Sequence, residues 1–336
     1  MAEETIVFTP GREMPPDILE QAWRMKPEGF NLQMMPGNAS AADIAAAMRD
    51  AEYLVGFIRP LPDEAYTDAK QLKLVQVLSA GYDRINIEGA RKARVPICQN
   101  GGANSVAVAE HTIMLILAVY RKLVAFHQNV AQGRWHEGIP RNVDIFELEG
   151  KTVGIVGLGY IGQQVAQRLK PFDTNLIYYD AFRRSPEEEA RLGIQYVPLH
   201  TLLETADVVS LHVPLNDSTH HLINAEALRR MKPKAILINT CRGEVVDEPA
   251  LIDVLQQGRI LGAGLDTQEK EPSDPSNPLL TLPNVTLTPH TAGPTVDSFR
   301  KRFQNGFANI QRMAQGLSPF WIIPEMRDLF PEGPAT

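Results

Sequence analysis

Residues 151–169 read KTVGIVGLGYIGQQVAQRL, and the segment LIYYD that follows closes on Asp180, 18 residues after Gly162. An apolar strand, a Gly157-x-Gly159-x-x-Gly162 turn, a helix and an acidic strand end form a dinucleotide-binding fingerprint. Glycines at this spacing also serve ordinary tight turns, so the flanking strand and helix carry the reading. Gly157 permits the turn, Gly159 lets the backbone approach a pyrophosphate, and Gly162 lets helix pack closely on strand. The helix starting near Tyr160 presents unpaired N–H groups and its positive dipole end to phosphates. Asp180 is placed to accept hydrogen bonds from ribose hydroxyls and would repel a 2′-phosphate, which favours NAD over NADP. Arg183 and Arg184 come next and could grip such a phosphate; the simpler reading is solvated charge at a helix start.

Outward from this motif, 336 residues suit two domains at roughly 150 residues each. The composition, 44% hydrophobic and 22% charged, is that of a globular protein with real cores. A net charge of -7 argues against a nucleic-acid footprint, which needs a basic face. Cys98 and Cys241 lie far apart with no Cys/His cluster, which argues against a disulfide framework or a metal site. The start MAEETIVFTP has no basic and apolar leader, and the apolar run at 113–120 is far short of the ~20 residues of a membrane span. A cytoplasmic enzyme acting on small molecules is expected.

Short apolar runs alternate with helical patterns through the first hundred residues. Strands are expected at 5–8, 53–58, 74–78 and 95–99, with helices at 41–51 and through residue 69. This alternation predicts a parallel sheet covered by helices on both faces. A long amphipathic segment spans 105–128, and the stretch from 132 to 150 reads as a loop or arm. After the fingerprint, strands are expected at 206–213, 235–239, 262–265 and 285–288, making a second doubly wound unit with more strands than the first. Residues 295–315 predict a helix with Phe299, Phe303, Phe307 and Ile310 on a packing face. The helices after Asn104 and Pro294 are the natural crossovers between the two units.

Three further segments, NTCRGEVVDEPAL (239–251), GLDTQEKEP (264–272) and LTPHTAG (287–293), end or follow apolar strands. They bring Arg242, Glu271 and His290 to strand ends: a cation, a carboxylate and an imidazole. Such a trio suits an anionic carbonyl compound that gains a hydride and a proton. With SAGYD (79–83), NSVAVAEHTIMLILAVYRK (104–122) and Gly-Arg-Trp (133–135), the chain resembles the D-isomer-specific 2-hydroxyacid dehydrogenases, including their glyoxylate/hydroxypyruvate reductase and phosphoglycerate dehydrogenase-like branches, over nearly its whole length.

The resemblance implies an α/β fold of two Rossmann-like, doubly wound parallel-sheet lobes, the nucleotide lobe inserted into the substrate lobe. A flavodoxin-like substrate domain would occupy 1–103 and 294–336, and an NAD-binding Rossmann domain 104–293. Arg242 would hold the substrate carboxylate and polarise the carbonyl, using its planar fork. His290 would be the acid/base, and Glu271 would hydrogen-bond it and favour its charged form. The Ala80 and Gly81 backbone would complete the carboxylate cradle, and Asp266 would bind the nicotinamide carboxamide. Tyr160, Ile161, Val213, Pro214 and Thr219 would line the cofactor, as would Thr240, Cys241 and Gly293. Substrate choice would fall to Arg59, Tyr82, Arg84, Trp135 and Arg141, with small acids such as glyoxylate or hydroxypyruvate preferred. The resemblance also implies a homodimer through the 105–128 helix.

Alternatives stand beside this. A nucleotide-sensing corepressor keeps the same residues, phosphite oxidation uses the same trio, and formate oxidation is disfavoured by Glu271. Cys241 reads as a neutral filler, His111 as a packed or capping residue, and His220 and His221 as surface residues. Thr267 and Gln268 depart from the family's apolar pattern after Asp266, with an open effect on the active-site floor.

Overall fold

The computed structural model describes residues 3–11, 14–135 and 144–330, so Arg141 lies outside the described residues. The chain divides into two compact units, Met1–Asn104 with Pro294–Thr336, and Ser105–Gly293.

In the first unit, β1 (Glu4–Thr9), β2 (Phe30–Met34), β3 (Tyr53–Gly56), β4 (Leu74–Val77) and β5 (Ile97–Cys98) form a sheet in the order β2-β1-β3-β4-β5. All pairs are parallel, and this order is the flavodoxin-like one. β3 and β4 are buried along their whole length, as strands covered on both faces must be. β2 lies at the edge and buries only Leu32. Its FNLQM has no continuous apolar run, which is why it does not stand out in the sequence, and the helix Pro16–Met25 before it buries only Ile18 and Ala22. The strand expected at 95–99 shortens to the two residues of β5.

The helix Val296–Ala314 starts at a capping box in which Thr295 accepts from Ser298 N–H. It buries Phe303, Phe307 and Ile310, and Phe303 meets Phe8 edge-on with ring centroids 5.9 Å apart. Each such side chain contributes at most roughly 1.5–3 kcal/mol through burial. Arg302 on this helix is 3% exposed, lies 5.4 Å from the Phe57 ring and 5.5 Å from the Phe299 ring, and donates to the Leu78 carbonyl. It ties the helix to the end of β4, where the Ser79-Ala80-Gly81 turn begins.

In the second unit, β6 (Thr152–Val156), β7 (Asn175–Tyr179), β8 (Ile194–Tyr196), β9 (Val208–Leu211), β10 (Ile236–Asn239), β11 (Gly262–Leu265) and β12 (Val285–Leu287) pair in the order β12-β11-β10-β9-β6-β7-β8. The order reverses at β6, where a doubly wound sheet opens a ligand crevice at its carboxyl edge. Register fixes what stands there: Val156 pairs with Tyr179 and Leu211, Leu211 with Asn239, Asn239 with Leu265, and Leu265 with Leu287. The next residues, Gly157, Asp180, His212, Thr240, Asp266 and Thr288, therefore emerge along one edge.

The expected single segment at 105–128 is two helices, Ser105–Tyr120 and Leu123–Ala131. Lys122 breaks it by taking a left-handed conformation, φ 50°, without being glycine. The first helix is buried along one side; the second buries none of its residues. No helix among the described residues is long and apolar enough to cross a membrane.

Candidate active site

At the end of β6, Gly157 has φ +95°, and a Cβ there would lie 2.6 Å from the His212 carbonyl oxygen. At Gly162 a Cβ would stand 2.2 Å from the Gly157 carbonyl oxygen, so helix and turn meet through backbone alone. A Cβ at Gly159 would meet nothing within 4 Å. This open backbone face precedes the helix Tyr160–Leu169, whose N-cap, Gly159, makes no side-chain cap bond. The residues thus fit a pyrophosphate: bare N–H groups, a helix dipole, and room that any side chain would fill. Asp180 accepts from Leu158 N–H at 2.7 Å and from Phe182 N–H at 2.9 Å, one bond per carboxylate oxygen. Each oxygen keeps acceptor capacity for a hydroxyl.

The other expected cofactor residues continue along this edge. Val213 and Pro214 follow β9, and Thr219 donates to the Pro214 carbonyl at 2.6 Å while accepting from Asn216 N–H at 2.9 Å. Thr240 is 7% exposed and shares a 3.1 Å hydrogen bond with Thr112. The Cys241 thiol donates to Asn239 Oδ1 at 3.1 Å, and burial pushes its pKa up to about 11. It is a neutral thiol. Tyr160 is exposed, Ile161 half-buried and Gly162 buried, so of these three Tyr160 is the one that faces outward.

The candidate trio stands at the ends of β10 to β12. Arg242 follows β10; its Nη1 donates to the Cys241 carbonyl at 2.8 Å, and its own carbonyl accepts from Asn239 Nδ2 at 2.8 Å. His290 Nδ1 bonds Glu271 Oε2 at 2.8 Å, and the other oxygen of Glu271 accepts from Gln268 N–H at 3.2 Å. Burial pushes the Glu271 carboxyl pKa up, but the His290 bond and charge, the Gln268 N–H and the Arg242 charge together hold it below its ordinary range. Arg242, Glu271 and His290 thus form one electrostatic group.

Two supports of this group act through bonds that the sequence does not show. Asp266, 2% exposed, accepts Thr288 Oγ1–H at 2.6 Å and Thr291 N–H at 2.9 Å on one oxygen, and Ala292 N–H at 2.9 Å on the other. Its carbonyl accepts His290 N–H at 2.8 Å, which secures His290 at φ 54°. The loop from Thr288 to Gly293 is therefore hung on Asp266. His111 is more than a packing residue, because its Nε2 bonds Thr288 Oγ1 at 2.9 Å. Thr288 gives its single proton to Asp266, so His111 Nε2–H is assigned as the donor. The second support is Gln268. Its backbone lies so close to Gly243 that a Cβ there would come within 2.0 Å, and its Oε1 accepts from Ser273 Oγ at 2.7 Å. The polar departure thus straps the loop that carries Glu271.

The remaining expected residues are placed as follows. Ala80 and Gly81 form a half-buried turn after β4, closed by Ser79 Oγ donating to the Gly81 carbonyl at 2.7 Å. Tyr82 packs against the core of that unit and donates to Glu325 at 3.2 Å. Arg59 donates to the Gly37 carbonyl at 3.1 Å, Arg84 is exposed, and Trp135 is 65% exposed with φ 48°. His220 and His221 stack at 4.0 Å, and His221 bonds Glu269 at 2.9 Å.

A glycine-built nucleotide end and a cation–carboxylate–imidazole end on one parallel sheet define a nicotinamide-dependent oxidoreductase. Residues 113–292 match the NAD binding domain of the D-isomer specific 2-hydroxyacid dehydrogenases, and the chain belongs to that family. It is 40% identical to a glyoxylate reductase of Korarchaeum cryptofilum over 82% of this chain and 84% of the relative. It is 34% identical to a D-3-phosphoglycerate dehydrogenase of Archaeoglobus fulgidus over 87% of this chain and 55% of the relative. Among solved structures it resembles an NADPH-dependent glyoxylate/hydroxypyruvate reductase of Sinorhizobium meliloti, in complex with NADP and malonate, with a TM-score of 0.82 and 31% identity over 99% of this chain and 100% of that one.

Proposed function

We propose that this enzyme reduces a small 2-oxo acid, of the glyoxylate or hydroxypyruvate type, to the 2-hydroxy acid, with NADH preferred over NADPH. The observation that carries the reading is the 2.8 Å bond between His290 Nδ1 and Glu271, within the field of Arg242, on the sheet edge that also bears the glycine turn. Relatives named glyoxylate reductase support the substrate class.

The bound nicotinamide supplies the hydride. Arg242 holds the substrate carboxylate with its planar fork and polarises the carbonyl oxygen. With Nδ1 committed to Glu271, His290 presents Nε2 as the atom that delivers a proton to that oxygen and recovers it in the oxidation direction. Glu271 keeps the ring in this orientation and stabilises the imidazolium before the proton leaves. Asp180 accepts from the ribose hydroxyls with its remaining lone pairs and disfavours a 2′-phosphate.

NADH oxidation assayed with glyoxylate, hydroxypyruvate, pyruvate and longer 2-oxo acids tests this reading. Fastest turnover is expected with the two small acids. Tight NADH binding with turnover of none would instead make the chain a nucleotide sensor.

A second copy of this chain is the partner that fits the helix Leu123–Ala131. This helix buries no side chain, and Leu123, Val124 and Val130 are 57%, 43% and 51% exposed. Homodimers are the commonest closed assembly. Sedimentation that shows only monomer at every concentration would remove this partner.

A further inference from the structure

Two arginines sit on the loop between β7 and the helix Pro186–Leu192, and each is engaged differently. Arg184 Nη2 donates to the Leu158 carbonyl at 2.8 Å, while Asp180 takes the Leu158 N–H at 2.7 Å. These two side chains clasp Leu158, inside the glycine turn, from its two backbone polar groups. Arg183 faces elsewhere. Its Nε and Nη2 donate to the two oxygens of Glu189 at 2.9 and 3.0 Å, a bidentate pair, and its guanidinium lies 5.3 Å from the Tyr196 ring centroid. Glu189 is fixed in turn by the Tyr178 hydroxyl at 2.8 Å, and that hydroxyl accepts Arg184 N–H at 2.9 Å.

We propose that Glu189 is a specificity-determining residue for the cofactor, because it holds Arg183 away from the place where a 2′-phosphate would enter. Folds of this kind that accept a 2′-phosphate do so with an arginine near the acidic strand end. Arg183 has the right chemistry and lies three residues beyond Asp180 on the same loop. A planar fork already matched to a carboxylate cannot offer the same pair of donors to a phosphate. Selection against NADP then has two parts: Asp180 repels the phosphate, and Glu189 keeps back the cation that would attract it. The Arg183 side chain is 60% exposed against 13% for Glu189. The arginine can swing once released, whereas the carboxylate stays.

This inference rests on the reading of Asp180 as the ribose acceptor, and the test separates the two. Dissociation constants for NAD, NADP and 2′,5′-ADP are measured by calorimetry on the wild type, D180A, E189Q, D180A/E189Q and D180A/E189Q/R183M. D180A alone should shift the NADP/NAD ratio toward NADP; an unchanged ratio would remove the Asp180 reading and leave the Glu189 comparison intact. Adding E189Q should tighten NADP and 2′,5′-ADP by about tenfold more, the effect of one additional charge-assisted hydrogen bond, with NAD little changed. R183M should erase that gain. R183K in the D180A background is a second route to release, since lysine keeps the charge but cannot bridge both carboxylate oxygens. It serves if E189Q fails to fold. Equal NADP affinity for D180A and both release variants, or a gain that survives R183M, would overturn the proposal.

Discussion

At the carboxyl edge of the seven-stranded sheet, β6 and β7 end in a site built mainly from backbone, while β10, β11 and β12 end in one built from side chains. The first is shaped by what is missing: Gly159 opens on empty space, and Gly162 lets a helix lie where any Cβ would strike the Gly157 carbonyl at 2.2 Å. The second is shaped by side-chain bonds within and between its loops, His290 to Glu271, Glu271 to Gln268, and Asp266 to Thr288, Thr291 and Ala292. A backbone site answers to sterics, so it accepts one class of ligand or none. A side-chain site answers to charge and hydrogen bonding, so it can lose its chemistry and keep its shape.

This contrast is broken most sharply at His290. Replacing it with alanine should lower kcat for 2-oxo acid reduction by on the order of 10²-fold or more, the usual worth of a positioned acid. NADH affinity should stay within about twofold, because no bond of the glycine turn involves His290. Stopped-flow turnover and a fluorescence titration of NADH read the two quantities separately. Near-normal turnover would take His290 out of the mechanism. A parallel collapse of NADH affinity would show that the two ends of the sheet are not independent.

The same contrast governs what can be read from sequence. The glycine turn is local: its three glycines and Asp180 span 24 residues, and each has a steric or hydrogen-bonding reason in that window. The two doubly wound sheets are legible because their central strands, such as VVSL in β9 and ILIN in β10, are buried throughout and stand out as apolar runs. Edge strands carry a weaker signal, as β2 and β8 show, with one buried residue each. The break at Lys122 leaves no trace, since the left-handed turn is made without glycine or proline. In the proposed catalytic half, residue types can be read but not their bonding. His111 and Thr288 are 177 positions apart, and nothing in either segment announces the pair. Gln268 is visible as a polar departure, yet its bonds to Glu271 and Ser273 depend on a loop folded back against Gly243.

The finest division between the two ends is electrostatic, and Glu271 tests it through stability. Its carboxyl pKa is held below the ordinary 4.5 because the His290 bond and charge, with the Gln268 N–H and Arg242, outweigh the effect of burial. A depressed folded-state pKa means that the charged carboxylate stabilises the fold above the unfolded value, and that this contribution drains away as pH falls through the folded one. Urea unfolding of the wild type and Glu271→Gln should therefore differ clearly at about pH 5.5, and the gap should narrow toward about pH 3. Asp180→Asn, compared in the same way, sets the background from the glycine end. A gap that is flat across the whole range would mean that Glu271 is held by shape and not by charge, and the proposed catalytic end would then resemble the glycine end more closely than its bonding indicates.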